Sequence, residues 1–379
     1  MQLIRVIKPT ETTFGLQLSK EAEKCHFLQF LVNTGNFKPH IPINKQTDQE
    51  QLDVVQHLCN KLSAIGYLLH DYFDPANAKA VVLMDAEREG QSDGESYGRS
   101  GKSLVSDLLK EIIQCVTIDG KKPDIDTDKH LFSEVDERTQ VIIMDDIRRN
   151  FDFESLLSKI TGNFSTRAMY QTDTKIAKAN TPKFLITTNH SIKGATNNSS
   201  FEDRIHYCVF SDFYNKDHKP IHDFHQRFFD DWEHEQWNLT WNLVACCVQI
   251  YLEHKLIEAP GNLHIQKQQR GEIGDNFMDY LNAYFIEYDY DETKQKFNGR
   301  FDVLINKATF YTEYLEAKKN YKYAYKDRTF WNKLKQWCSY HGFEVQGLDK
   351  NNRIQKSDTA GGPRVDHIKI VKISKEDKL

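Results

Sequence analysis

Short apolar runs of strand length alternate along this chain with longer stretches in which apolar residues return every three or four positions. Leu52, Val55, Leu58, Leu62, Ile65 and Leu69 share one helical face. Thr47 and Glu50 stand just ahead of them as a capping box, each side chain suited to satisfy the other's backbone N–H. That helix reads as a core helix or a partner-facing one. Helical spacing recurs at Leu104, Val105, Leu108, Leu109, Ile112 and Ile113, and again at Trp232, Trp237, Trp241, Val244, Val248 and Tyr251. Residues 20–32 and 153–160 predict shorter helices. Between the helices lie compact runs at Ala80–Asp85, 141–146, 182–189 and Ile205–Phe210. Continuous apolar runs of this length suit strands covered on both faces, hence an α/β fold with a parallel sheet.

Composition bounds the class. The chain has 379 residues, 28% of them charged, with a formal net charge of -5. It is long enough for two or three domains and too rich in core-forming residues to be disordered. The charge is unevenly spread: from Arg300 onward Lys and Arg outnumber Asp and Glu, so the body is acidic and the tail basic. The seven cysteines form no C-x-x-C pair, which predicts reduced thiols and neither a disulfide scaffold nor a structural zinc. His218, His222 and His225 do not have a zinc spacing either. No apolar run follows Met1 and none reaches membrane-spanning length, so neither a signal peptide nor a membrane partner is expected, and the setting is cytoplasmic.

The chemistry centres on residues 94–103, Gly-Glu-Ser-Tyr-Gly-Arg-Ser-Gly-Lys-Ser. A phosphate-binding loop needs Gly, four residues, then Gly-Lys-Ser/Thr. The second half is intact, while Ser96 stands where the first Gly belongs. Gly98, Ser100 and Gly101 would turn backbone N–H groups toward a phosphate at the start of a helix. Lys102 would reach the β- and γ-phosphates, and Ser103 would hold Mg²⁺. The order of strand, loop and helix that such a loop requires is present, with a polar insert after Asp85.

Two apolar runs then end in polar groups. Val141-Ile142-Ile143-Met144 delivers Asp145 and Asp146, which would respectively hold Mg²⁺ and orient the attacking water. Alternatively, one of them caps the next helix. Phe184-Leu185-Ile186 leads to Asn189, either a γ-phosphate contact or the start of a turn. Residues 163–182 suit a hairpin bearing Arg167, Lys175 and Lys178. Arg204 is a surface charge or, in a ring of copies, an arginine finger reaching a neighbour's site.

In this order, residues 98–103, 141–146, 159–162 with the basic hairpin, 183–189 and Arg204 resemble the superfamily 3 helicases. The likeness is to the helicase part of phage- and plasmid-type primase-helicases of Bacteroidetes and their mobile elements. It takes in Val55–Leu62, Phe210-Ser211-Asp212-Phe213-Tyr214, His218-Lys219-Pro220 and Phe229-Asp230-Asp231-Trp232, and covers most of residues 50–345. The resemblance implies an AAA+ type P-loop ATPase core, assembled as a hexameric ring that moves along DNA in a bacterial cell or phage-infected host. By it, ATP and Mg²⁺ are the cofactors, Lys102 and Ser103 bind them, and Asp145 and Asp146 form the second acidic motif. Asn189 is then the sensor and Arg204 the finger acting in trans. The hairpin lines the pore, with Lys175 or Lys178 at its tip on a DNA phosphate. A single Arg stands where related sequences often carry two. No primase portion is expected ahead of the core, so a separate primase is a candidate partner.

The expected division is a mostly helical region at 1–75 (oligomerisation or collar), the ATPase core at 76–215, a helical segment at 216–299 and a winged-helix-like basic domain at 300–379. In the last, residues 307–318 and a helix around Phe330, Leu334 and Trp337 precede a turn at 349–352. Lys333 and Lys335 lie on that second helix's basic side, and Arg353, Lys356 and Arg364 fall on or near the wing. A basic helix and wing suit phosphates of duplex DNA in addition to single strands; the alternative is a solvated basic surface. The function expected is an ATP-dependent helicase or translocase in replication of a mobile element. Two alternatives stay open: an ATP-gated origin-melting initiator without processive unwinding, and a ring NTPase in phage defence.

Overall fold

The computed structural model describes residues 2–8, 13–86, 99–121, 128, 130–148, 151, 153–162, 164–166, 174–190, 203–261, 263–291, 296–317, 324–348, 350–359 and 362–372. Ser96, Gly98 and Arg167 lie outside the described residues. Two compact units divide the chain, Met1–Gln268 and Gln269–Leu379. Among the described residues no helix is long and apolar enough to cross a membrane.

The first unit begins with an antiparallel hairpin, β1 (Ile4–Ile7) and β2 (Gly15–Leu18). Helix α1 (His26–Asn33) starts later than the expected residue 20, because Cys25 is extended (φ -78°, ψ 105°) and separates it from a 3₁₀ turn. Helix α2 (Asp48–Leu69) opens on the expected capping box: the Thr47 N–H donates to Glu50 Oε2 at 2.9 Å and the Glu50 N–H to Thr47 Oγ1 at 3.4 Å. From Gln56 to Leu68 every residue of α2 is buried, which makes it a core helix.

A five-stranded sheet follows, built from β3 (Ala80–Asp85), β4 (Cys115–Asp119), β5 (Val141–Asp145), β8 (Lys183–Thr188) and β9 (Ile205–Phe210). Helices α3 (Lys102–Ile112) and α4 (Glu154–Ile160) and a short hairpin, β6 (Ser165–Thr166) and β7 (Thr174–Lys175), lie between them in sequence. The order across the sheet is β4-β5-β8-β3-β9, and every pairing is parallel. Edge strand β4 has no continuous apolar run, only Ile118 being buried, and its pattern therefore predicts no strand.

The sheet is covered on both faces, as its unbroken apolar strands require. Val81, Ile143, Leu185 and Phe210 pack with residues of α1, α2, α3 and α5 (His234–His254). Val82, Met144, Phe184 and Ile186 pack with Leu156 of α4 and with Phe132 and Phe164. Helices α2 and α5 meet at Gly66, where a Cβ would stand 2.0 Å from the Cys247 carbonyl oxygen. Lys183, at the start of β8, is buried and donates to the Tyr67 carbonyl at 2.6 Å and to that of His70, so it satisfies the end of α2.

The second unit has an aromatic core. It comprises α6 (Leu263–Ile273, which spans the unit boundary), α7 (Asp275–Leu281), β10 (Tyr290–Asp291), β11 (Lys296–Phe297), β12 (Ile305–Asn306), α8 (Lys307–Ala317), α9 (Asp327–His341), β13 (Phe343–Gln346), β14 (Ile354–Ser357) and β15 (Arg364–Lys372). Strand β15 pairs antiparallel with β12, β13 and β14. Phe277, Phe285, Phe310, Phe330 and Trp337 are nearly or fully buried beneath it, and Trp337 Nε1 donates to Asn282 Oδ1 at 2.9 Å. Lys333, expected on an open basic face, donates to the Glu272 carbonyl and sits 5.1 Å from the Tyr325 ring centre, so it takes part in packing. Lys335 is exposed, as are Lys356 and Arg364 on the β14–β15 hairpin, while Arg353 pairs with Asp366 at 3.3 Å.

Two outcomes follow from the packing. Gly66→Ala forces its methyl into the backbone of α5 and will lower stability by about 1–3 kcal/mol in urea unfolding; an unchanged midpoint contradicts the contact. Burial lowers the Lys183 pKa from the ordinary 10.5 to about 7, with Asp71 opposing in part. Between those values the unfolded chain holds the extra proton, so stability falls as pH drops toward 7 and the loss is complete below it. Relative to wild type, Lys183→Met will flatten the dependence of unfolding free energy on pH across that window.

Candidate functional site

Strand β3 runs buried from Ala80 to Met84 and delivers Asp85 at its carboxyl end. The chain is described again at Arg99 (φ 96°), followed by Ser100 and Gly101 (φ 94°), which begins α3. Gly101 is required twice over. Its φ lies in the left-handed region, and a Cβ there would stand 2.5 Å from Phe30 Cε2. Lys102 is the first residue of α3 and is 8% exposed. A charge so nearly removed from water must be paired. Its Nζ donates to Asp85 Oδ1 at 2.5 Å, to Asn189 Oδ1 at 2.8 Å and to Ser100 Oγ at 3.3 Å. The Ser100 hydroxyl in turn donates to Asp85. Ser103, one residue on, is exposed.

The acidic pair lies at the end of β5. Asp145 is exposed; Asp146 follows in a left-handed conformation (φ 53°) and is half-buried. Thr187 of the neighbouring strand β8 orders both. Its hydroxyl donates to Asp145 Oδ1 at 2.7 Å and accepts the Asp146 N–H at 2.8 Å. Asn189, just past β8, closes the group: while its Oδ1 accepts from Lys102, its Nδ2 donates to Asp146 Oδ1 at 3.1 Å. The Lys121 ammonium meets Asp146 Oδ2 at 2.6 Å, and that hydrogen bond raises the Lys121 pKa above its ordinary value.

Strand order explains the convergence. Strand β8 lies between β5 and β3, so Asn189 stands between the acids of β5 and the lysine that follows β3. All three strands are parallel and present the same carboxyl edge, where open α/β sheets bind ligands. The edge holds the Lys102 ammonium, a helix start, an exposed hydroxyl at Ser103 and three carboxylates, Asp85, Asp145 and Asp146. Lys102, Gly101 and the α3 N-terminus suit a phosphate. Ser103 and Asp145 are exposed oxygen donors of the kind Mg²⁺ takes alongside phosphate and water.

The structure brings Ser100, Gly101, Lys102, Asp145, Asp146 and Asn189 to this edge. Arg204 is elsewhere. It precedes β9, at the amino edge of the sheet, and its guanidinium donates to the carbonyls of Pro75 and Ala78 at 3.1 and 3.4 Å. The length of β9, roughly 20 Å, separates the two edges. The hairpin expected after Gly162 forms as β6 and β7, with Ser165 opposite Lys175 and Thr166 opposite Thr174. Lys175 lies on the returning strand and Lys178 in the 3₁₀ turn beyond it, while residues 167–173 lie outside the described residues. Of the histidines, His218 pairs with Asp223 at 3.0 Å and His222 Nδ1 accepts the Lys219 N–H at 3.3 Å.

Asp85, Lys121 and Thr187 had no assigned role in the sequence reading. Asp85 had a signal: Ala80-Val81-Val82-Leu83-Met84-Asp85 repeats the form of Val141-Ile142-Ile143-Met144-Asp145, an apolar strand ending in an acid. Thr187 and Lys121 had none, since their roles depend on strand adjacency. No protein-family model matches the chain, and no curated protein does.

Thr187→Val keeps the shape of the strand and removes the hydroxyl shared by Asp145 and Asp146. It will cost about 1–3 kcal/mol of stability, the penalty for leaving the Asp146 N–H without its acceptor. An unchanged midpoint in urea unfolding would contradict the assignment.

Proposed function

We propose that the chain is an ATP-driven DNA helicase or translocase of the superfamily 3 type, with an AAA+ core in its first unit and a winged-helix-like DNA-binding module in its second. One observation carries the reading: the Lys102 ammonium and the Asp146 carboxylate meet on the two ends of a single Asn189 amide. A cation for the γ-phosphate, an acid for the attacking water and a polar group touching both are what phosphoryl transfer to water needs, because positioning and charge stabilisation carry most of that reaction.

In this reading Lys102 and the backbone of Ser100 and Gly101 cradle the phosphates, and Ser103 and Asp145 hold Mg²⁺. The metal supplies charge neutralisation on the phosphate oxygens when bound. Asp146, held by Asn189 and Lys121, orients the water. Lys102 exchanges its Asp85 partner for phosphate oxygen, so the ion pair keeps the buried ammonium paired before nucleotide arrives. Arg204 is a strand's length from the site of its own chain, and it completes the pocket of a neighbouring copy in a ring. The exposed Lys175 and Lys178 face DNA in that ring, as Lys335, Lys356 and Arg364 do on duplex.

Full-length protein tests this. Lys102→Ala and Arg204→Ala will each lose about a thousandfold or more of ATP turnover, Arg204→Ala keeping nucleotide affinity. Because each inactive variant retains the group the other lacks, mixing them will restore part of the rate at their shared interfaces. Full turnover by Arg204→Ala, or by a monomer at high dilution, would sink the shared-site reading. Turnover stimulated by DNA without strand displacement would favour the initiator.

A further inference from the structure

Strand β15 is the centre of the second unit's sheet, and His367 stands where it is flanked on both sides. Asn306 of β12 pairs with it on one side and Ile354 of β14 on the other. His367 is buried. Just past β14 the chain bends at Asp358, whose carboxylate reaches across the strand. Its Oδ1 lies 2.7 Å from His367 Nε2, and its Oδ2 accepts from Asn306 Nδ2 at 2.6 Å. Asn306 is itself committed. Its Oδ1 accepts the N–H groups of Ala308 and Thr309 at 2.9 and 3.2 Å and so caps α8. One hydrogen-bonded line thus runs from the α8 N-terminus through Asn306 and Asp358 to the His367 ring.

The other ring nitrogen decides how this line behaves. His367 Nδ1 lies 3.0 Å from the Val365 carbonyl oxygen. A carbonyl and a carboxylate can only accept. A neutral imidazole has one N–H, so it satisfies one of these contacts and turns a lone pair toward the oxygen of the other. Both are hydrogen bonds only when the ring carries two protons and a positive charge. Asp358 suits that charge, since hydrogen bonds from Asn306 and His367 hold its carboxyl below the usual range. The neighbouring charges have partners of their own. Asp366 is held by Arg353 at 3.3 Å and by Gln355 at 2.9 Å, with Lys307 of α8 nearby. Lys356 of β14 stands opposite Val365, while Lys369, opposite Gln346 of β13, pairs with Asp302 at 3.0 Å.

We propose that Asp358 and His367 form a proton-operated latch, which fastens the bend after β14 to the start of α8 while the ring is charged and loosens it when the ring is neutral. Histidine is the side chain that ordinarily changes charge near neutral pH, so the hold weakens as pH rises through that range. The fastened segment carries the exposed Lys356 and Arg364. The latch therefore sets how firmly those two cations are presented. Their use on duplex DNA rests on the function proposed above; the latch itself does not.

Hydrogen exchange of the full chain at about pH 5.5 and about pH 8, on either side of a histidine's ordinary titration and corrected for intrinsic rates, tests it. In wild type the protection of β14 and of residues 364–367 will fall roughly tenfold at the higher pH, the effect of losing one charge-assisted hydrogen bond. Asp358→Asn, at an exposed position, removes the carboxylate that favours the charged ring and will abolish that step. His367→Gln will abolish it too, and the comparison of wild type with Asp358→Asn stands even where His367→Gln does not fold. Equal wild-type protection at both pH values, or a step that persists in Asp358→Asn, overturns the latch. Duplex affinity measured on the same samples separates the two readings. A fall with pH in wild type that Asp358→Asn lacks supports the latch's use on DNA. An exchange step without any change in duplex affinity supports the latch and overturns its role on DNA.

Discussion

A lysine ammonium with little access to water has to be surrounded by oxygen, and Lys102 draws its oxygens from three places in the chain. Asp85 ends one strand, Ser100 belongs to the loop ahead of α3, and Asn189 follows a second strand. Each is useful only because β3 and β8 are adjacent, parallel and in register from Ala80 against Phe184. A register slip of one residue would reverse the faces of β8 and carry Asn189 away from the ammonium. Asp145 and Asp146 depend on the same alignment one strand further on, through Thr187.

The helical layers hold that edge in place by packing. Gly66 lets α2 and α5 approach to backbone contact, and Phe30 supports Gly101 and Phe228 together. The turn at Gly101 and the segment around Phe228 thus share one aromatic contact. Interiors packed at crystal-like density transmit such constraints with little slack. The Asp85 ion pair adds a constraint on the proposed phosphate grip, since a phosphate would have to displace a carboxylate from Lys102.

The second unit solves a different problem with the same means. Its sheet is small, so stability comes from rings: Phe277, Phe310, Tyr314 and Phe330 contact one another at centroid distances near 5 Å. Lys333 is drawn into this packing by the Glu272 carbonyl and the Tyr325 ring. The basic surplus of the tail is therefore not all surface charge. Lys335, Lys356 and Arg364 remain exposed, which concentrates the proposed duplex contact on α9 and the β14–β15 hairpin.

Local pattern by itself determined much of this protein. The unbroken runs at Ala80–Asp85 and Ile205–Phe210 suited covered strands and form them, and the Thr47 and Glu50 pair located the start of α2 to the residue. Gly101-Lys102-Ser103 and the acids at 145 and 146 were legible because loop and strand-end chemistry is encoded in neighbouring residues. Strand β4 was not, since an edge strand needs no apolar run, and the start of α1 was misplaced because Cys25 is extended for reasons outside its own segment. Tertiary structure alone decided that Asn189 bridges Lys102 and Asp146, that Thr187 orders the acids and that Arg204 lies at the opposite edge. It also drew Lys333 into the packing of the second unit. Those facts depend on which strands and helices are neighbours in space, and residues far apart in the chain carry no local record of that adjacency.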